Sequence, residues 1–471
     1  MHTIDYGIVI VYALLVLVFG FVRRIRPGGS AADVIVGGRI LTLPAFVGTL
    51  VSAWYGGVLG VGEYSYRYGI SNWLVLGVPY YVAAFLFAIL LAKKARETEL
   101  LTIPDRLGQM YDNKTALAGS FILFLMTPPA AYVLIIGVLC QLLFGWPIWG
   151  GVLLGTLVSI VYVYWGGFNS VVRTDILEFV LMYAGFAALM VVLVTNYGGF
   201  GWLSSHLPAS HLTWHGGKTT LYIASWYVIA LTTLAEPIFY QRCYAVKDAA
   251  TARTGIFISI VCWALFDFMT TFSGLYAKAI LPDLADPVAS YPSLAVKVLP
   301  VGLLGLFIVA MFATVMSTVN AYALIAASTF GNDLVPRLFP KAIGRIDRYT
   351  RWGLTISTVI AIVFAIYFDS VIEIWYAYGT VGAPALLIPV VSTFVGNRRL
   401  PPRWAFWSIV VSGSLALSWY LSGRLTGGAY WLGVEPIYPG LVCSIIMFLI
   451  FARKKPVPVA SPQPATYISP L

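Results

Sequence analysis

The chain has 471 residues, of which 60% are hydrophobic and only 10% charged, with a mean hydropathy of +0.86. Soluble domains carry roughly 25% charged residues, so in water this composition would leave apolar patches larger than such proteins tolerate. It excludes a soluble enzyme or binding module and makes the lipid bilayer the solvent. Basic loops of a membrane protein account for the net charge of +10, without a nucleic-acid partner.

The first apolar run, Ile8 to Val22, lacks a basic start and a small-residue cleavage site, and Arg23, Arg24 and Arg26 follow it. That pattern predicts a retained first helix, not a signal peptide. Stretches long enough to span fall near 5–22, 43–62, 72–92, 116–143, 148–164, 175–195 and 219–240. They continue near 254–279, 300–330, 352–369, 371–395, 404–422 and 436–452, giving an all-α polytopic protein of about 13 transmembrane helices. The tail after Phe451 is short and Pro-rich, a composition that does not fold by itself.

Of the 29 Lys and Arg, all but Arg67, Lys218, Lys278, Lys297 and Arg424 fall in one alternate set of loops. The positive-inside rule makes those loops cytoplasmic, with the N-terminus outside, the C-terminus inside and an odd number of spans. The expected location is a bacterial inner membrane. Nothing in the chain specifies an oligomeric state, so a monomer or an oligomer of unknown size is expected.

Cys140, Cys243, Cys262 and Cys443 form no C-x-x-C pair and are expected to pack rather than bind metal. His206, His211 and His215 lack acidic or Cys partners in sequence and predict an exposed loop, not a zinc site. No H-E-x-x-H, G-x-S-x-G or nucleotide loop is present, so no enzyme is expected.

Two spans contain helix breakers at mid-depth. The second holds Gly56, Gly57, Gly60 and Gly62; the seventh holds Pro237, preceded by Glu236 and by Thr232 and Thr233. Backbone freed by such residues must face protein or a watery cavity, because lipid offers no hydrogen bonds. The two breaks lie five spans apart, as two inverted five-helix repeats flanking a transport site would require. Plain packing glycines and a harmless proline kink are the alternative.

In the ninth span Thr314, Ser317 and Thr318 stand at i, i+3 and i+4 and share one helix face. Their oxygens suit a hard cation such as sodium, or bond back to their own helix. Glu236 and Asp267 fall mid-span, where a charge costs at least about 2.5–3.5 kcal/mol, and no Lys or Arg is expected at that depth. They are therefore protonated, hydrogen-bonded or matched to a transported cation, which makes Asp267 a charge-coupling candidate. Asp175 and Glu178, beside Arg173, are expected to make a surface ion pair or a helix cap.

Aromatic residues crowd the breaks: Trp54, Tyr55, Trp226, Tyr227, Trp375, Tyr376 and Tyr378. Candidate solute contacts are Ser52, Trp54, Tyr55, Gly56, Gly57, Trp226, Thr233, Glu236 and Pro237. Acids at mid-depth without a basic neighbour rank amine-bearing or zwitterionic solutes first, neutral polar ones second and monocarboxylates third.

Four segments stand in one order: T-I-P-D-R-L-G-Q-M-Y at 102–111, W-G-G-F-N-S-V-V-R-T-D-I-L-E at 165–178, E-P-I-F-Y-Q-R-C-Y-A-V-K-D at 236–248 and V-M-S-T at 315–318. They resemble the sodium:solute symporter family, which includes sodium/proline, sodium/pantothenate and sodium/sugar symporters, over about residues 5–395. The resemblance implies a LeuT-type five-plus-five inverted repeat. Residues 1–42 would hold an extra first helix and its cytoplasmic loop, 43–195 the first repeat, and 196–218 an extracellular loop. The second repeat would occupy 219–395, two additional helices 396–455 and a cytoplasmic tail 456–471.

The resemblance further implies import of a small organic solute by alternating access with Na+ as coupling ion. A proton-coupled carrier or a channel-like protein of the same fold is the alternative. Carried over by position, the sodium ligands would be the carbonyls of Leu50, Ala53 and Thr314 and the hydroxyls of Ser317 and Thr318. The family often has Gln where this chain has Glu178 and Glu236.

Overall fold

The structure is a computed structural model that describes residues 1–22, 30–368, 371–427 and 430–454. The expected basic flank at Arg23, Arg24 and Arg26 and the tail 456–471 lie outside the described residues.

Helix α1 (Thr3–Phe21) starts on a capping box in which His2 and Asp5 satisfy each other's backbone amides. Asp5 also accepts from the amides of Gly302 (2.8 Å) and Gly305 (3.0 Å), pinning α1 to a distant helix start. Only 22% of its apolar window is buried, so it lies at the periphery. The second span consists of α2a (Leu43–Trp54) and α2b (Val58–Tyr68), bent by 60° at Tyr55–Gly57.

Next come α3 (Trp73–Glu97), α4 (Asn113–Phe144), α5 (Ile148–Tyr197), α6 (Thr220–Ala245) and α7 (Ala249–Ile280). Prolines 128 and 129 interrupt α4. Gly167 (φ 53°, ψ −145°) divides α5, a backbone conformation that side chains rarely adopt. Then follow α8 (Leu303–Leu338), α9 (Ile346–Tyr367), α10 (Val371–Phe394), α11 (Pro402–Leu425) and α12 (Ile437–Phe451).

Among the described residues ten helices are long and apolar enough to cross a membrane, or eleven with the bent pair as one span. The expected thirteen is reached only by also counting the shorter α12 and dividing the 50-residue α5 at Gly167. Arg398–Arg399 pairs antiparallel with Arg453–Lys454, which puts the basic segments after α10 and α12 side by side.

Helix α8 is the centre of the bundle, with 89% of its apolar window buried. It packs most extensively on α5, and α2a, α4, α9 and α1 also meet it. The Thr314–Ser317–Thr318 stripe therefore faces protein, not lipid. The 206–215 stretch is less open than expected: His211 is buried, its Nε2 lies 2.9 Å from the Tyr66 carbonyl, and its own carbonyl accepts from Ile70. The reason is that this loop folds back onto the end of α2b. No metal-holding group of His, Cys, Asp and Glu occurs among the described residues.

Candidate sodium and solute sites

Both expected breaks are present. In α2 the helix ends at Trp54 and restarts at Val58, so the last carbonyls of α2a lose their helical donors. A Cβ on Gly56 would lie 2.4 Å from Thr318 Oγ1, and one on Gly57 2.0 Å from the Trp375 ring; only glycine admits these neighbours. In α6 a short 3₁₀ turn (Leu231–Ala235) leads into an extended Glu236 (φ −77°, ψ 118°). Pro237 restarts the helix at the first position, where its missing amide costs nothing.

Opposite the α2 break, the hydroxyl stripe of α8 meets the end of α2a. Thr318 Oγ1 lies 3.4 Å from the Ser52 carbonyl and 3.3 Å from the Thr314 carbonyl. Ser317 Oγ lies 2.9 Å from Ser52 Oγ and 2.7 Å from Asp175 Oδ1. Thr314 spends its own hydroxyl on the Ala310 carbonyl (2.7 Å), leaving its backbone as the useful group. Leu50, Ala53, Thr314, Ser317 and Thr318 are all fully buried. This neutral oxygen set beside one carboxylate suits a small hard cation.

Asp175 and Glu178 correct the sequence-based expectation. Neither makes a surface pair with Arg173; both are fully buried. Gly167 redirects α5, so that Asp175 sits against α2a and α8 and not at a cytoplasmic edge. Asp175 Oδ2 accepts from Thr49 and stands 3.6 Å from Arg242 Nη2. Arg242 is itself fully buried, against the expectation of no basic residue at depth, and Gln241 (2.6 Å) and Thr49 (3.2 Å) also hold it. Glu178 accepts from the α1 residue Tyr12 at 3.2 Å. The T-D pair in 165–178 and the Q-R pair in 236–248 were the available signals for this contact.

Between the two breaks a ring of aromatic side chains encloses Glu236. Tyr322 donates to Glu236 Oε1 (3.2 Å) and stacks on Tyr132 at 5.4 Å, and Tyr132 meets Trp375 at 5.9 Å. Trp375 closes over Gly57. On the other side Trp54 packs on Phe239 (5.2 Å) and Tyr80 (6.2 Å), and Tyr80 is within electrostatic range of Glu236. Thr233 Oγ1, Trp375 Nε1 and Tyr378 Oη are buried without a hydrogen-bond partner. Tyr80, Tyr132 and Tyr322 carried no sequence signal, because they lie outside the two breaks that the sequence marked.

Not every candidate joins this ring. Trp226 packs with Tyr222 in a satellite cluster of Tyr64, Val75 and Ile223. Ser52 faces Ser317, and Tyr55 turns to Asp267 and Thr270.

The 102–111 segment packs against the C-terminal end of α8. Thr102 caps a helix from Ile103 to Met110, taking the amide of Asp105 (3.2 Å). Arg337, at the end of α8, bonds Asp105 at 2.9 Å and approaches Asp333 at 3.9 Å. Burial raises the pKa of Asp105, against the pull of Arg337.

A family model described as "Sodium:solute symporter family" matches residues 35–412. The chain belongs to the sodium:solute symporter family. It is 27% identical over 468 residues to a sodium/pantothenate symporter of Escherichia coli, covering 94% of this chain and 95% of that one. It is 24% identical over 471 residues to an osmoregulated proline transporter of Bacillus subtilis, covering 93% and 92%. The structure of a Na+-coupled sialic acid symporter superposes with a TM-score of 0.78 at 15% identity, covering 96% of this chain and 99% of that one. The fold is the LeuT-type one expected from the sequence. The protein is a multi-pass membrane transporter that moves a small solute with sodium as the coupling ion, and it is not an enzyme.

Proposed function

We propose that sodium binds where the α2 break faces α8, held by the carbonyls of Leu50, Ala53 and Thr314 and the hydroxyls of Ser317 and Thr318. The observation that carries this reading is the meeting of Ser317 and Thr318 with Ser52 beside Asp175. The gradient then drives solute import by alternating access of two inverted repeats, 43–195 and 219–395. Replacing both Ser317 and Thr318 with Ala should weaken ²²Na+ binding to the purified protein at least about tenfold, a loss of about 1.4 kcal/mol. Unchanged affinity in a folded double variant sinks the assignment.

The solute is placed between the breaks, with an amine against Glu236. Aromatic faces attract cations, and Tyr322, Tyr132 and Tyr80 stand beside an acid that has no ion-pair partner among the described residues. The unpartnered Thr233, Trp375 and Tyr378 atoms offer polar contacts to the rest of the molecule. One relative is named for proline, a zwitterion. Amine-bearing solutes rank first, neutral polar ones second and monocarboxylates third; labelled examples of each class, offered to proteoliposomes under a sodium gradient, decide the order.

The orientation follows from the basic loops: a bacterial inner membrane, N-terminus and the 196–218 loop outside, C-terminal tail inside. In intact cells an impermeant thiol reagent should modify a cysteine placed at Ser205 and spare one placed at Ser461. The opposite pattern overturns the topology.

A further inference from the structure

Asp267 is a mid-span acid that neither the sodium stripe nor the Glu236 ring uses. It sits halfway along α7 and is 5% exposed. Tyr55 donates to its Oδ1 and Tyr81, on α3, to its Oδ2. The other titratable groups in range are Tyr183 on α5 and Tyr291. No Lys, Arg or His among the described residues pairs with it. When it is ionised, its buried charge is offset by these two phenol hydrogen bonds and by no counter-ion.

The cluster can satisfy either state of this acid. Tyr55 Oη also lies 2.8 Å from Thr270 Oγ1, and Thr270 in turn donates to the Phe266 carbonyl at 3.0 Å. With Asp267 ionised, both phenols donate to it. With Asp267 protonated, its O–H donates to Tyr55, which turns its own proton to Thr270; no group loses a partner. Two further features place the site at irregular backbone. Tyr55 is the first residue of the α2 break. Opposite, Gly77 ends a π-helical turn (Trp73–Gly77), a widening often found at functional sites, and a Cβ there would lie 3.3 Å from Asp267 Oδ2.

We propose that Asp267, with Tyr55, Tyr81 and Thr270, is a second ion site of this transporter, one that takes up and releases a proton at the hinge of α2. The proton adds to the Asp267 carboxylate and leaves it unchanged in redox state. The site is separate from the proposed sodium ligands, so failure of one assignment leaves the other standing.

Infrared difference spectra of the full-length protein in liposomes, wild type minus Asp267→Asn, test it. The expected result is a protonated-carboxyl C=O band that shifts in D2O and bleaches as the pH is raised. A band that never bleaches from mildly acid to alkaline pH marks a permanently neutral structural acid and overturns the proposal. No band at any pH marks a permanently ionised one and overturns it too. Should Asp267→Asn fail to fold, the wild type is compared with Tyr55→Phe/Tyr81→Phe. Loss of two donors to the carboxylate should move the bleaching upward by about one pH unit or more; an unmoved profile overturns the proposal.

Discussion

Arg242→Met should destabilise the protein by about 3–5 kcal/mol, the cost of leaving a buried acid without its counter-charge. Arg242 and Asp175 are both fully enclosed and stand 3.6 Å apart, with Thr49 bonded to each. Taking two such ions out of water is expensive, and the pair holds only because each offsets the other. The measurement is the melting temperature of purified protein in detergent, which should fall by several degrees. Asp175→Asn on top of Arg242→Met removes the orphaned charge, so the double variant should recover much of the loss. If the double variant melts with the single one, the ion pair is not what stabilises this region.

Glu236→Gln should lower uptake of an amine-bearing solute about a hundredfold, or about 2.7 kcal/mol, as expected for a desolvated charge pair losing one partner. A neutral polar solute should lose far less, because Gln keeps the hydrogen bond from Tyr322. The contrast between solutes is therefore the readout, with expression and sodium binding as controls. If Glu236→Gln leaves uptake of the identified solute unchanged across about pH 5.5 to 8.5, Glu236 is a structural acid and the ranking of solutes fails.

The regular features of this protein were legible because they repeat along the chain. Apolar runs set the spans, glycines and a proline marked both breaks, and i, i+3, i+4 spacing put Thr314, Ser317 and Thr318 on one face. The segments at 165–178 and 315–318 contain Asp175 and Ser317, which the fold brings to 2.7 Å. Their family resemblance named the region, yet Asp175 was still expected at a surface. Its depth depends on the turn at Gly167, which no hydropathy window registers.

By itself the sequence determined that the chain lives in a bilayer, where its helices break, which hydroxyls share a face and which family it resembles. These properties are local, written in composition and short spacings, and a bilayer penalises every departure from them. Only the tertiary structure decided that Arg242 pairs with Asp175, that Tyr80, Tyr132 and Tyr322 surround Glu236, that Trp226 stands apart, and that Tyr55 turns to Asp267. Each of those contacts joins helices far apart in the chain. Once a helix is broken, the direction of its far half depends on the neighbours it packs against, and periodicity along one strand of sequence carries no information about them.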